Sequence, residues 1–367
     1  MNIECVVDKL KEAVLIAEKA VAKNSTLPIL NNFLLDVKNK SLLIKTTNLE
    51  IGIEVEVPVK VNQEGRVVVN SSVFTSYLIN LINENKIQLL IEGDNLKIKT
   101  STTESVIKIN SSDDFPIIPQ VLSKKGLIIP SFNLLDGFRK VMYAAAVSDI
   151  KPEIASIYIY QEHKKIFFVA TDTFRLAEIF INSEKENNFE PLIIPIKNIH
   201  DIIKVFEKES GNISINIDKN QISLFTDFIH LTSRIIDGNY PDYRQIIPKN
   251  HSTEVVVKRS DLLNTLKINS LFTDNFKQVN FEIKTENNTI EISSLNQNIG
   301  ENKSVIICST IGDNLRVSFN VKYLLDYLNM VNDNEIKMLF SGDNKPLLIK
   351  NADQNINLIY LVMPIRQ

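Results

Sequence analysis

The sequence has no tryptophan, two cysteines, ten glycines and twelve prolines in 367 residues. A disulfide framework needs more than Cys5 and Cys308, which lie far apart, so both read as small buried hydrophobes of a reduced, cytoplasmic protein. Gly-rich phosphate-binding designs are missing: neither G-x-G-x-x-G nor a P-loop signature occurs. No apolar run approaches the roughly 18–20 residues that span a bilayer, and the opening MNIECVVDKLKEAV carries acidic residues where a signal peptide has an apolar core, so no membrane partner is expected. Formal charge is −3, from 41 basic and 44 acidic residues, which excludes a protein that coats nucleic acid by bulk charge. The four histidines, His163, His200, His230 and His251, are too scattered for a zinc site, so no metal or other cofactor is expected.

What is present is a repeat. DDFPIIPQV, DGNYPDYRQIIP and YLVMPIRQ place Pro116, Pro241 and Pro364 at separations of 125 and 123 residues. Strand-like runs meeting a polar turn carry Thr47, Thr171 and Ser294, at separations of 124 and 123. Helical patterns follow the same period. Leu10, Val14, Ala17 and Val21 share one face of a helix over 8–23, with counterparts over 132–147 and 258–272. A second set is expected over 70–83, with Ser71 or Ser72 as N-cap, over 195–208, with Pro195 near its first position, and over 320–331. The remainder is short Ile/Val/Leu/Phe/Thr runs between polar turns, hence strands. The expectation is an α+β chain of three copies of one domain, at 1–122, 128–249 and 252–367, each with two helices against antiparallel sheets.

Catalytic chemistry is scarce. Ser148 and Lys151 match S-x-x-K, but its companion S-D-N and K-T-G motifs are missing, which leaves a hydrolase as a minor alternative. Charge distribution says more. The helical segments hold 13 basic and 8 acidic residues, so the rest of the chain is near −8. Lys197, Lys204 and Lys208 share one helix face, opposite Ile199, Ile202, Ile203 and Phe206. That pattern fits an ordinary solvated face, or helices that meet a polyanion through phosphate contacts, without reading bases. A repeat-built scaffold that binds proteins and not DNA also stays open.

Four segments resemble the bacterial DNA polymerase III beta subunits, the beta sliding clamps: Thr26–Leu30 (TLPIL), Ala170–Ala177 (ATDTFRLA), Asp237–Arg244 (DGNYPDYR) and Val362–Arg366 (VMPIR). The resemblance runs the whole length. Phe174 stands where the family usually has His, Thr173 where it often has Gly, Gln245 where it often has a basic residue, and Asn24 where it often has Arg. The resemblance implies three DNA-clamp domains, a ring-shaped head-to-tail homodimer around duplex DNA, and a non-catalytic subunit of a DNA-directed DNA polymerase. Its partners would be double-stranded DNA without sequence preference, a second copy of itself, the polymerase catalytic subunit, the clamp loader and other clamp-binding-motif proteins. It also implies a peptide cleft formed by Ile154, Thr171, Thr173, Arg175, Leu176, Pro241, Ile246, Pro346, Leu361, Val362, Met363, Pro364 and Arg366. Arg175 and Arg366 would clamp peptide carbonyls or an acidic group. For DNA, Lys23, Asn24, Ser148 and Lys197 match family positions, and the charge pattern adds Lys204 and Lys208.

Overall fold

The computed structural model describes every residue except 23–25, 122–125, 149, 187–188, 352–356 and 367. Lys23 and Asn24 therefore lie outside the described residues. Six α-helices are found among the described residues: α1 Val7–Ala17, α2 Ser71–Ile79, α3 Ser131–Met142, α4 Ile196–Phe206, α5 Arg259–Ser270 and α6 Val321–Met330. Each falls inside a segment expected to be helical or within a residue of it, and each is shorter. Helix α1 stops at Ala17, where Glu18–Ala20 tightens into a 3-10 turn. Helix α2 is capped by Asn70, whose side chain accepts the Val73 amide at 3.0 Å, so Ser71 and Ser72 are not the cap. Pro195 closes the preceding strand, directly ahead of α4.

The helices cover antiparallel sheets. Among the described residues there are sheets of thirteen, nine and four strands. The chain gathers into two compact units, one of Met1–Leu135 with Lys197–Asp237, the other of Asp136–Ile196 with Gly238–Gln367. The central repeat contributes to both. In the first unit its last strand, Ile229–Arg234, pairs with Ile51–Pro58 of the first repeat, in register from Ile229↔Val55 to Ser233↔Ile51. In the second unit the last strand of the chain, Leu358–Val362, pairs with Arg175–Asn182 of the central repeat, from Arg175↔Val362 to Ile179↔Leu358. Each of these seams joins two repeats through main-chain hydrogen bonds.

The core lies between helices and sheets. In α3, Gly137 lets the helix approach the sheet, since a Cβ there would meet the Phe168 ring at 2.9 Å. Phe138 then stacks edge-on to Phe168, with centroids 5.5 Å apart. Cys5 is buried as expected, and burial pushes its thiol up to about 12. Cys308 is only half-buried, because it follows a strand at the edge of its sheet. Pro364 is not a structural counterpart of the other two prolines: it stands two residues past its strand, whereas Pro116 and Pro241 stand six and seven past theirs.

Removing the α2 cap leaves its amide without that acceptor. Asn70→Ala is expected to lower unfolding free energy by about 1 kcal/mol, read as a lower urea midpoint with an unchanged slope.

Candidate partner-peptide cleft and nucleic-acid surface

The cleft expected from the sequence lies in the second unit, on the seam just described. Its turn is built by side chains. The Thr171 hydroxyl donates to the Arg175 carbonyl at 2.7 Å and accepts the Thr173 amide at 3.2 Å. Asp172 Oδ1 accepts the Phe174 and Arg175 amides, both at 3.0 Å. Thr173 is thereby held at φ +76°, a left-handed conformation that a β-branched residue resists and glycine accepts.

Arg175 is 5% exposed. Its guanidinium bonds Asp172 at 3.0 Å and Asp326 at 2.5 Å, and lies 4.5 Å over the Tyr323 ring. It fastens the turn to α6, and its donors point to protein carboxylates.

The floor is apolar. Val169, Leu176, Tyr243 and Leu361 form one buried cluster, with Tyr158, Tyr160, Tyr240, Ile247 and Met363 packed around it. Leu176 and Leu361 face each other in register across the seam, and the Met363 amide donates to the Phe174 carbonyl at 2.8 Å. Thr171 and Val362 are buried beside them. Thr173, Phe174, Pro241, Ile246 and Arg366 are exposed, and Ile154, Pro346 and Pro364 are half-buried. Thus Leu176, Leu361 and Met363 meet in one cluster, while Ile154, Pro346 and Arg366 are not members of it among the described residues.

The tyrosines and one glutamate were not singled out from the sequence, although DGNYPDYR contains two of the rings. Tyr158 stacks on Tyr240 at 4.6 Å. Arg244 donates to the Tyr160 hydroxyl at 2.7 Å, Tyr160 and Tyr243 share a hydrogen bond of 2.7 Å, and Tyr243 donates to the buried Glu178 carboxyl. Burial raises the Glu178 pKa, against the opposing pull of the Tyr243 hydrogen bond and Arg244.

The lysine face forms as the periodicity predicts. Lys197 and Lys204 on α4, and Lys208 two residues past its end, are exposed, while Ile199, Ile202, Ile203 and Phe206 are buried. Asp201 sits 3.5 Å from Lys204. Ser148 is exposed, and its hydroxyl accepts the Ile150 amide at 3.4 Å. No hydrogen bond or ion pair joins it to Lys151 among the described residues, which removes the geometric basis of a Ser–Lys nucleophile. No group of three His, Cys, Asp or Glu side chains that could hold a metal occurs among the described residues.

Repeats of two helices against antiparallel sheets, joined strand to strand at seams, define the DNA-clamp class of fold. Family models of the DNA polymerase III beta subunit match end to end: the N-terminal domain at residues 1–119, the central domain at 129–242 and the C-terminal domain at 244–366. The chain belongs to the DNA polymerase III beta subunit family. It is 26% identical to the beta sliding clamp of Synechocystis over 390 residues, covering 100% of this chain and 99% of that protein. It is 25% identical to that of Bacillus subtilis over 374 residues, covering 98% of each. The crystal structure of the Thermotoga maritima beta subunit matches with a TM-score of 0.92 at 29% identity, and the Bacillus subtilis sliding clamp with 0.94 at 25%, each covering 100% of this chain and 99% of the other.

Because folded Glu178 holds its proton to higher pH than the unfolded chain does, the native state binds more protons in that window. Its contribution to stability therefore falls as pH rises from the ordinary value of 4.5 through the raised one. Glu178→Gln keeps an acceptor for Tyr243 and is expected to remove that decline. Urea midpoints from about pH 4 to about pH 8 check it, and an unchanged slope would exclude Glu178 as its source.

Proposed function

We propose that this protein is a sliding clamp: two copies close head to tail into a ring around duplex DNA and tether the replicative polymerase and other replication or repair proteins. One observation carries the ring. The last strand of the central repeat pairs with Ile51–Pro58, and the last strand of the third with Arg175–Asn182. One edge of each kind is left over. Among the described residues, the last strand of the first repeat, Glu104–Asn110, uses only Ile109 and Asn110 on its outer side, and Gly300–Ile307, the third repeat's counterpart of Ile51–Pro58, pairs only with Thr289–Asn296. Both edges carry exposed apolar residues, Val106 at 58% and Ile307 at 84%. Unpaired apolar edges invite pairing, and a second copy related by rotation satisfies both at once.

Processivity then needs no chemistry. The polymerase stays at high local concentration because its tether cannot leave the DNA, so the clamp acts as a non-catalytic subunit in the cytoplasm. Lys197, Lys204 and Lys208 would meet the phosphates of the duplex without reading bases. The cleft of Leu176, Leu361 and Met363 takes short apolar peptides from the polymerase subunit, the clamp loader and other partners. Apolar side chains with Met among them suit peptides of varied sequence. Thr173, Pro241, Ile246 and Arg366, which are exposed, would form the rim of this cleft.

Native mass spectrometry should give a dimer of twice 41.7 kDa, and the loaded protein should stay on nicked circular DNA but leave it once linearised. A stable monomer at micromolar concentration would sink the ring. Lys197→Ala with Lys204→Ala should weaken DNA binding and lower the slope of log affinity against log salt by about 1 to 2; an unaltered slope would count against these lysines. Deleting Met363–Gln367 should abolish capture of a polymerase-derived peptide and leave the protein dimeric; undiminished capture would move the cleft elsewhere.

A further inference from the structure

The first seam carries a second copy of the cleft. The Thr47 hydroxyl donates to the Ile51 carbonyl at 2.8 Å and accepts the Leu49 amide at 3.0 Å, as Thr171 does with Arg175 and Thr173. Asn48 Oδ1 accepts the Glu50 and Ile51 amides at 3.0 and 2.8 Å, the part Asp172 plays. Leu49 has φ +73°, matching Thr173 at +76°. The Arg234 amide donates to the Glu50 carbonyl at 2.9 Å, where the Met363 amide donates to the Phe174 carbonyl at 2.8 Å. Pairing fixes the equivalences: Gly52↔Thr232 stands where Leu176↔Leu361 stands on the second seam. A cavity of about 380 Å³ opens at this place, and Glu50, Gly52, Gln221, Thr232 and Arg234 are among its walls.

The backbone is shared; the chemistry is not. Leu176 is replaced by Gly52, and Ile118 fills that space, its Cγ2 2.5 Å from where a Cβ would stand. Leu361 is replaced by Thr232, whose hydroxyl bonds the Pro119 carbonyl at 2.9 Å and Ser223 at 3.0 Å. Met363 and Phe174 become Arg234 and Glu50, an exposed ion pair at 3.4 Å. Leu49, Ile51, Ile117 and Ile118 still line the cavity, but an apolar side chain entering beside them would meet the Thr232 hydroxyl and strip water from two charges.

We propose that this cavity is a copy of the peptide cleft with the same turn, closed to apolar peptides by Thr232 and Arg234, so that each chain carries one working peptide site and one silent one. The inference rests on the peptide reading of the second seam. Its test titrates a fluorescein-labelled pentapeptide of leucine and phenylalanine into the full-length protein and counts sites by anisotropy. Wild type should bind one per chain. Met363→Arg, which places the silent site's cation in the working one, should weaken binding about tenfold or more. Thr232→Leu with Arg234→Met should gain a second site, and that pair combined with Met363→Arg should keep one. Should Thr232→Leu unfold the protein by circular dichroism, Arg234→Met alone, at an exposed position, is read for the same gain. Two equal sites in wild type, or a folded variant still at one, would overturn the silent copy while the peptide reading stands. No binding by wild type would overturn the peptide reading, and this inference with it.

Discussion

An antiparallel strand with a bare edge leaves a row of amides and carbonyls that must find partners. That requirement organises this molecule. The first and central repeats are joined where Ile229–Arg234 meets Ile51–Pro58, and the central and third where Leu358–Val362 meets Arg175–Asn182. Each seam ends beside a turn tied by a threonine, Thr47 on the first and Thr171 on the second. The proposed cleft and its proposed copy lie at these turns, so both readings depend on how the edges are satisfied. The edges at Glu104–Asn110 and Gly300–Ile307 are the same problem left open within one chain.

The period of about 124 residues and the amphipathic patterns located all six helices, because both signals are local. Thr47 and Thr171 marked true counterparts, since the same hydroxyl-to-carbonyl bond recurs four residues on. Ser294 shared the spacing but not the role, because its hydroxyl donates to the Asn269 carbonyl at the end of α5. Pro364 also kept the period by coincidence, as its strand ends closer to it. Seam pairing was not legible, because register between strands far apart in sequence is set by sheet geometry and not by composition. The same is true of the tyrosine cluster, whose members Tyr158, Tyr160, Tyr240 and Tyr243 come from two segments far apart in sequence and meet only once the sheet has formed. That Leu176, Leu361 and Met363 belong together was suggested by the family resemblance alone, and they meet in one cluster; bare periodicity reads Leu361–Ile365 as a final core strand.

Repetition followed by divergence is visible in one pair of acids. Glu54 and Glu178 each stand seven residues after the turn threonine, and both are buried. Burial pushes each carboxyl up. For Glu54, hydrogen bonding and charge from His230 and Lys45 more than offset that and bring it below its ordinary value. For Glu178, a neutral phenol is the main partner, and the carboxyl remains raised. The backbone assigns the position, and the neighbours decide which way its carboxyl shifts.

The Thr171–Arg175 turn has one more consequence. Its amides are already held by Thr171 and Asp172, and Arg175 is pinned by two carboxylates, so this wall of the cleft is ordered before anything arrives. A ligand meeting a rigid wall loses its own conformational freedom but spends little on freezing the receptor. On the peptide reading proposed above, short sequences would bind usefully while still dissociating fast, and successive partners would take turns at this wall without the protein refolding between them.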